Sequence, residues 1–228
     1  MKKHIPLFLI LIVVVFVSCD ACDNPIEPED IPPMIDNPLW PWTLNSYWEF
    51  DIWESTDGAE FEYYEKYRVV DVFGYEDNRV AEIEFTKYTE DTIFADFTLW
   101  WGNTETGLYE FAPYDVEFAP NPSPKLLFKF PAEDLDSFQT YSYDFVTPYT
   151  MFYFDAGVPP IIVPSGTFES CVGYQLHYQT GHELPVDNYY YFKPDTGYVR
   201  YERYEAGSLI KTRSLRDFAL VPEPPNEE

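Results

Sequence analysis

Trp48, Phe50 and Ile52 alternate with Glu49 and Asp51, the period of a strand with one buried and one wetted face. Between residues 39 and 221 the chain has hardly any helical periodicity. It is dense in Tyr, Phe, Trp, Val, Ile and Thr, with aromatics making up 20% of the whole sequence. Such residues fit a pleated, half-buried surface. Turn chemistry punctuates the runs at Thr56-Asp57-Gly58, Glu76-Asp77-Asn78, Pro194-Asp195-Thr196-Gly197 and Ala206-Gly207-Ser208. The pattern predicts an all-β domain of roughly ten strands, most of them paired as antiparallel hairpins.

The pattern also repeats. Trp40-Pro41 precedes Leu44-Asn45-Ser46-Tyr47, and ninety residues later Phe130-Pro131 precedes Leu135-Asp136-Ser137-Phe138. Leu99-Trp100-Trp101-Gly102 runs into Thr106-Gly107-Leu108-Tyr109, as Tyr189-Tyr190-Tyr191-Phe192 runs into Thr196-Gly197-Tyr198-Val199. Ala81, Ile83 and Phe85 answer to Val172, Tyr174 and Leu176. Two similar halves, residues 39–128 and 129–221, are expected. Each would be a curled antiparallel sheet with an exposed edge and an uncovered apolar face. Joining them as a barrel or a sandwich removes both liabilities.

Ahead of this domain, Met1-Lys2-Lys3-His4 opens an uncharged apolar run ending at Phe16-Val17-Ser18-Cys19. A basic start, a short apolar run and a small residue before the cut read as a secretory signal, residues 1–18. The run is shorter than the ~20 residues of a membrane span. The ending resembles a bacterial lipobox, with Phe16 in place of the usual Leu, and implies a lipid-modified, palmitate-bearing Cys19. Two or three acyl chains give stable anchoring. Residues 19–38 read as a lipidated cysteine and a disordered acidic, proline-rich tether, and residues 222–228 as a disordered tail. The expected location is the cell envelope, at the outer membrane, with the domain facing the periplasm or the cell surface.

The chain carries 40 acidic and 14 basic residues, a formal charge of −26. Loss of Lys2 and Lys3 with the signal leaves 12 basic residues and a charge of −28. This excess repels nucleic acid and anionic lipid headgroups.

No catalytic signature is present: there is no G-x-S-x-G elbow, P-loop, H-E-x-x-H or EF-hand loop, and the C-x-x-C spacing of Cys19-Asp20-Ala21-Cys22 is expected to lose its first thiol to lipidation. No cofactor, metal set or catalytic residue is expected. Cys171 lies in an expected strand and reads as a buried thiol, unpaired with Cys22. His177 and His182 read as structural. Glu90-Asp91 and Glu133-Asp134 read as solvated turn acids. The aromatic pairs at equivalent places in the halves, Trp100 and Trp101 with Tyr189, Tyr190 and Tyr191, are the candidate ligand-binding residues. Flat rings with polar tips stack on sugars or line apolar cavities.

Leu44-Asn45-Ser46-Tyr47-Trp48-Glu49-Phe50, Pro164-Ser165-Gly166-Thr167-Phe168, the Tyr189-Tyr190-Tyr191-Phe192 strand and Tyr198-Val199-Arg200-Tyr201 together resemble uncharacterised β-rich envelope lipoproteins of Bacteroidota-like bacteria. Those carry a G-N-Y-W-x-Y opening, a P-A-G-T-F segment and a Y-Y-F strand. The glycine of the opening is missing here. The resemblance implies a β-rich envelope lipoprotein and carries no active site. The expected function is a lipid-anchored, non-catalytic binding or structural domain for a glycan, peptide or envelope partner. The alternatives are a carrier of lipid or another apolar ligand in a curled-sheet cavity, and a carboxylate-based hydrolase.

Overall fold

A computed structural model describes residues 31–75, 77–111, 124–140, 149–179 and 184–222. The signal segment, Cys19, Cys22, His182 and residues 223–228 lie outside them. Fourteen strands are present among the described residues: β1 (Tyr47–Thr56), β2 (Ala59–Tyr75), β3 (Asn78–Tyr88), β4 (Ile93–Thr104), β5 (Gly107–Glu110), β6 (Lys125–Lys129), β7 (Ser137–Thr140), β8 (Tyr149–Phe154), β9 (Ile161–Val163), β10 (Gly166–Phe168), β11 (Val172–Tyr178), β12 (Val186–Lys193), β13 (Gly197–Glu205) and β14 (Ser208–Ala219). The domain is all-β, with more strands than the expected ten.

Twelve strands form one antiparallel sheet in the order β6-β5-β4-β3-β2-β1-β14-β13-β12-β11-β8-β7. This order is a mirror. The first half of the chain runs outward from β1, the second outward from β14, and those two strands pair at the middle, Trp48 facing Phe218 and Ile52 facing Arg213. The free edges, β6 and β7, curl round to meet. Their seam has no backbone ladder. The Thr140 hydroxyl bridges it instead, within hydrogen-bond distance of the carbonyls of Leu126 (3.0 Å) and Leu127 (3.1 Å). Nearby, the Tyr174 hydroxyl donates to the Lys129 carbonyl at 2.8 Å. The result is a nearly closed barrel, which settles barrel against sandwich.

The two halves share a backbone frame. Asn45 N donates to Val69 O, Ser46 N to Thr43 O and Val69 N to Ser46 O; Leu135 N donates to Tyr153 O, Asp136 N to Glu133 O and Tyr153 N to Asp136 O. Asn45 and Leu135 both have positive φ, 69° and 66°. Asn45 therefore corresponds to Leu135 and Ser46 to Asp136. The sequence alignment, which paired Leu44 with Leu135, was one residue out at this point. The shared leucine is chance, and the backbone frame is what repeats.

Alternation puts Trp48, Phe50, Ile52, Val69, Ile83, Tyr174 and Leu215 in the interior, each at most 2% exposed. The β9–β10 hairpin lies against β13 and β14. Ser165 fastens it, with N and Oγ both donating to the Leu215 carbonyl. Leu215 and Asp217 pair with successive residues of β1, so Arg216 is bulged out of the ladder there.

One barrel end is filled by the segment before β1. The Trp40 ring packs between Trp42 (4.6 Å), Trp48 (5.5 Å), Trp101 (5.6 Å), Tyr198 (5.6 Å) and Phe192 (5.9 Å). Its backbone is tied down as well, since Asn103 Nδ2 donates to the Trp40 carbonyl and Asp195 N to that of Pro38. Pro32, within the expected tether, accepts a hydrogen bond from Arg79 at 3.3 Å.

Candidate functional site

Above the Trp40 plug the barrel holds a cavity of about 280 Å³, near the lower end of the ~300–1,000 Å³ usual for small-molecule sites. Trp40, Trp101, Phe128, Tyr190, Phe192 and Tyr198 supply aromatic walls, and Leu127, Met151 and Leu176 aliphatic ones. It lies along the β6–β7 seam, with Leu127 and Phe128 on one side and Thr140 and Met151 on the other.

Three charged groups stand in this interior. Glu65 is 4% exposed and projects inward because it faces Phe50 across the β1–β2 ladder. Arg213 faces Ile52, lines the cavity and forms an ion pair with Glu65. Its guanidinium also sits 5.4 to 5.9 Å from the ring centres of Tyr198, Tyr67, Phe50 and Tyr201, where the ring faces attract positive charge. Burial disfavours the guanidinium charge, but Glu65 and the tyrosine oxygens outweigh it and hold Arg213 firmly protonated.

The third group is Glu110, 8% exposed and also on the cavity wall. It forms no side-chain hydrogen bond and no ion pair among the described residues. Burial pushes its carboxyl pKa up, and Lys125, opposite it in the β5–β6 ladder, partly offsets that. Burial likewise raises the phenols of Tyr67, Tyr198 and Tyr201, and puts that of Tyr190 at about 12. All four are neutral hydroxyls at physiological pH.

Alternation divides the five expected ligand residues between two faces. Trp101 and Tyr190 line the cavity. Trp100 packs on Phe73 at 5.0 Å and on Tyr75 at 6.4 Å, on the other side of its strand from Trp101. Tyr189 and Tyr191 stand on the outer face with Tyr204, Asp187 and Glu202 around a shallow groove. The five do not form one site. Trp40, Glu65, Glu110, Tyr198 and Arg213 were not singled out as ligand residues. For Glu65 the signal lies in the sequence: in Tyr63-x-Glu65-x-Tyr67-x-Val69 an acid occupies a core position of an alternating strand.

Cys171 is 3% exposed, and its thiol, within reach of the Phe168 carbonyl at 3.5 Å, is pushed by burial to about 11. His177 Nδ1 lies 2.8 Å from Asp187 Oδ1 on the outer face. Asp134 Oδ1 accepts the backbone N–H groups of Asp155 and Ala156, in the turn that follows β8, and so ties two segments together. No group of three or more His, Cys, Asp or Glu among the described residues is placed to hold a metal ion.

No protein-family profile and no curated protein matches the chain. Two solved structures are similar to it. One is a Bacteroides fragilis NCTC 9343 protein held to be exported and to have a YmcC-like fold: 14% identity, TM-score 0.48, covering 81% of this chain and 100% of that one. The other is a Parabacteroides distasonis ATCC 8503 protein held to be a lipoprotein: 16% identity, TM-score 0.47, covering 80% and 99%.

Proposed function

We propose that this chain is a lipid-anchored, non-catalytic binding protein of the cell envelope, holding a small molecule with an apolar body inside its barrel. The aromatic cavity carries this reading. Close-packed interiors leave few voids larger than a water molecule, whereas this one is lined by rings and has unpartnered polar groups on its wall. The Tyr198 hydroxyl and the Trp40 and Trp101 indole nitrogens have no hydrogen-bond partner among the described residues. Anchoring rests on Cys19, and the acidic surface would keep the barrel off an anionic bilayer.

Native mass spectrometry of protein purified from its envelope tests the reading. A non-covalent small-molecule adduct that is lost on denaturation is expected, and bare protein in every preparation would overturn it. In the same material Cys19→Ser should move the protein from the membrane fraction to the soluble one. A second reading, a glycan platform, has one observation in its favour: the outer groove of Tyr189, Tyr191 and Tyr204. Glycan-array binding abolished by Tyr189→Ala with Tyr191→Ala would favour that groove over the cavity.

A further inference from the structure

The barrel already shows how its interior holds a positive charge. Arg213 is neutralised by an inward acid, Glu65, and lies against the faces of Phe50, Tyr67, Tyr198 and Tyr201. Both components recur beside Glu110. Trp101 stands directly opposite it in the β4–β5 ladder, so both side chains share the inner face. On the other flank Lys125 of β6 stands opposite Glu110; further along β6, Phe128 pairs with Leu108, and its ring lies 5.3 Å from that of Tyr190 across the seam. Glu110, Trp101, Phe128 and Tyr190 all line the cavity. An acid among ring faces is the arrangement that recognises organic ammonium groups.

We propose that the cavity selects an organic ammonium ion with an apolar body, its nitrogen on Glu110 and its body against Trp101, Phe128 and Tyr190. This rests on the cavity being the binding site. An anionic ligand is disfavoured there, because Arg213 is already occupied by Glu65 and a ligand carboxylate would add charge beside Glu110. A neutral ligand would gain only an ordinary hydrogen bond from the carboxyl. The acidic surface would also raise the local concentration of cations.

Glu110 gives such binding a pH dependence. Burial keeps the Glu110 carboxyl protonated to higher pH than a free glutamic acid, with Lys125 opposing. Lys125 and Trp101 face it from the neighbouring strands; elsewhere on the cavity wall Arg213 keeps its charge and the phenols stay neutral. Ammonium affinity should therefore rise as pH rises through the Glu110 pKa, while the affinity of a neutral analogue stays flat.

Three probes with one skeleton make the test: 2-phenylethylammonium, 2-phenylethanol and phenylacetate. Each is titrated calorimetrically into the full chain between pH 4 and 8, with indole fluorescence as a second readout. The ammonium is expected to bind about tenfold or more tighter than the alcohol at neutral pH, the scale of one charge-assisted contact. Glu110→Gln should remove that preference and its pH dependence. Should the variant fail to fold, the pH profiles of the wild-type chain decide alone. Alcohol or carboxylate bound as tightly as the ammonium, or an ammonium affinity indifferent to pH, would overturn the ammonium assignment and leave the cavity reading standing. Failure of all three probes, together with bare protein in native mass spectrometry, would overturn both.

Discussion

Glu65 and Arg213 show how few residues decide what the interior of this barrel can do. Each occupies a core position in an alternating strand, where a leucine would pack at less electrostatic cost. Taking a charge out of water is compensated only while its partner remains, so the two should be strongly coupled. Glu65→Leu or Arg213→Met alone is expected to cost about 3–5 kcal/mol, because each leaves one buried unpaired charge. The double variant should cost far less than the sum of the two. Urea unfolding of all four proteins measures this, and additive losses would show that the pair does not act as a unit. Glu110 differs in having no hydrogen-bonding or ion-pair partner among the described residues, which is why the proposed binding role falls to it and not to Glu65.

At the scale of elements, the Trp40 plug depends on the β12–β13 turn. Gly197 has a φ of 103°, and a Cβ there would run into the Trp40 indole. Gly207, in the β13–β14 turn, also has positive φ (79°) but has open space around it. Gly207→Ala should therefore show only the backbone cost, about 1 kcal/mol. Gly197→Ala adds displacement of the plug, with a larger fall in Tm and altered indole fluorescence. Equal effects of the two substitutions would mean that the plug does not rest on this turn. The turn was legible as Pro194-Asp195-Thr196-Gly197. Its role against Trp40 was not, because 157 residues separate Gly197 from Trp40 and only closure of the sheet brings them together.

The barrel as a whole is closed unevenly. Every strand boundary of the main sheet but one has a backbone ladder, and the exception, β6–β7, is bridged by side chains. Thr140→Val keeps the shape of the side chain and removes the hydroxyl that reaches both Leu126 and Leu127. Leaving such buried groups unsatisfied costs about 1–3 kcal/mol. Faster hydrogen exchange should be confined to β6, β7 and their neighbours β5 and β8. Uniform acceleration across the sheet would show that the seam is no weaker than the rest. The cavity lies along this seam, so the same variant should also loosen ligand retention.

The all-β class, the two halves and the turn positions were set by the sequence alone, since period-two alternation and turn residues act over a few neighbours. The backbone frame at Asn45 and Leu135 repeats although one is an amide and the other a leucine. Closure of the barrel, the direction each of Trp100, Trp101, Tyr189, Tyr190 and Tyr191 faces, and the placing of Glu110, Phe128 and Tyr190 around one cavity were decided by the tertiary structure. Alternation says that neighbouring side chains part, but which of them meet inside depends on strand order and register across the whole sheet.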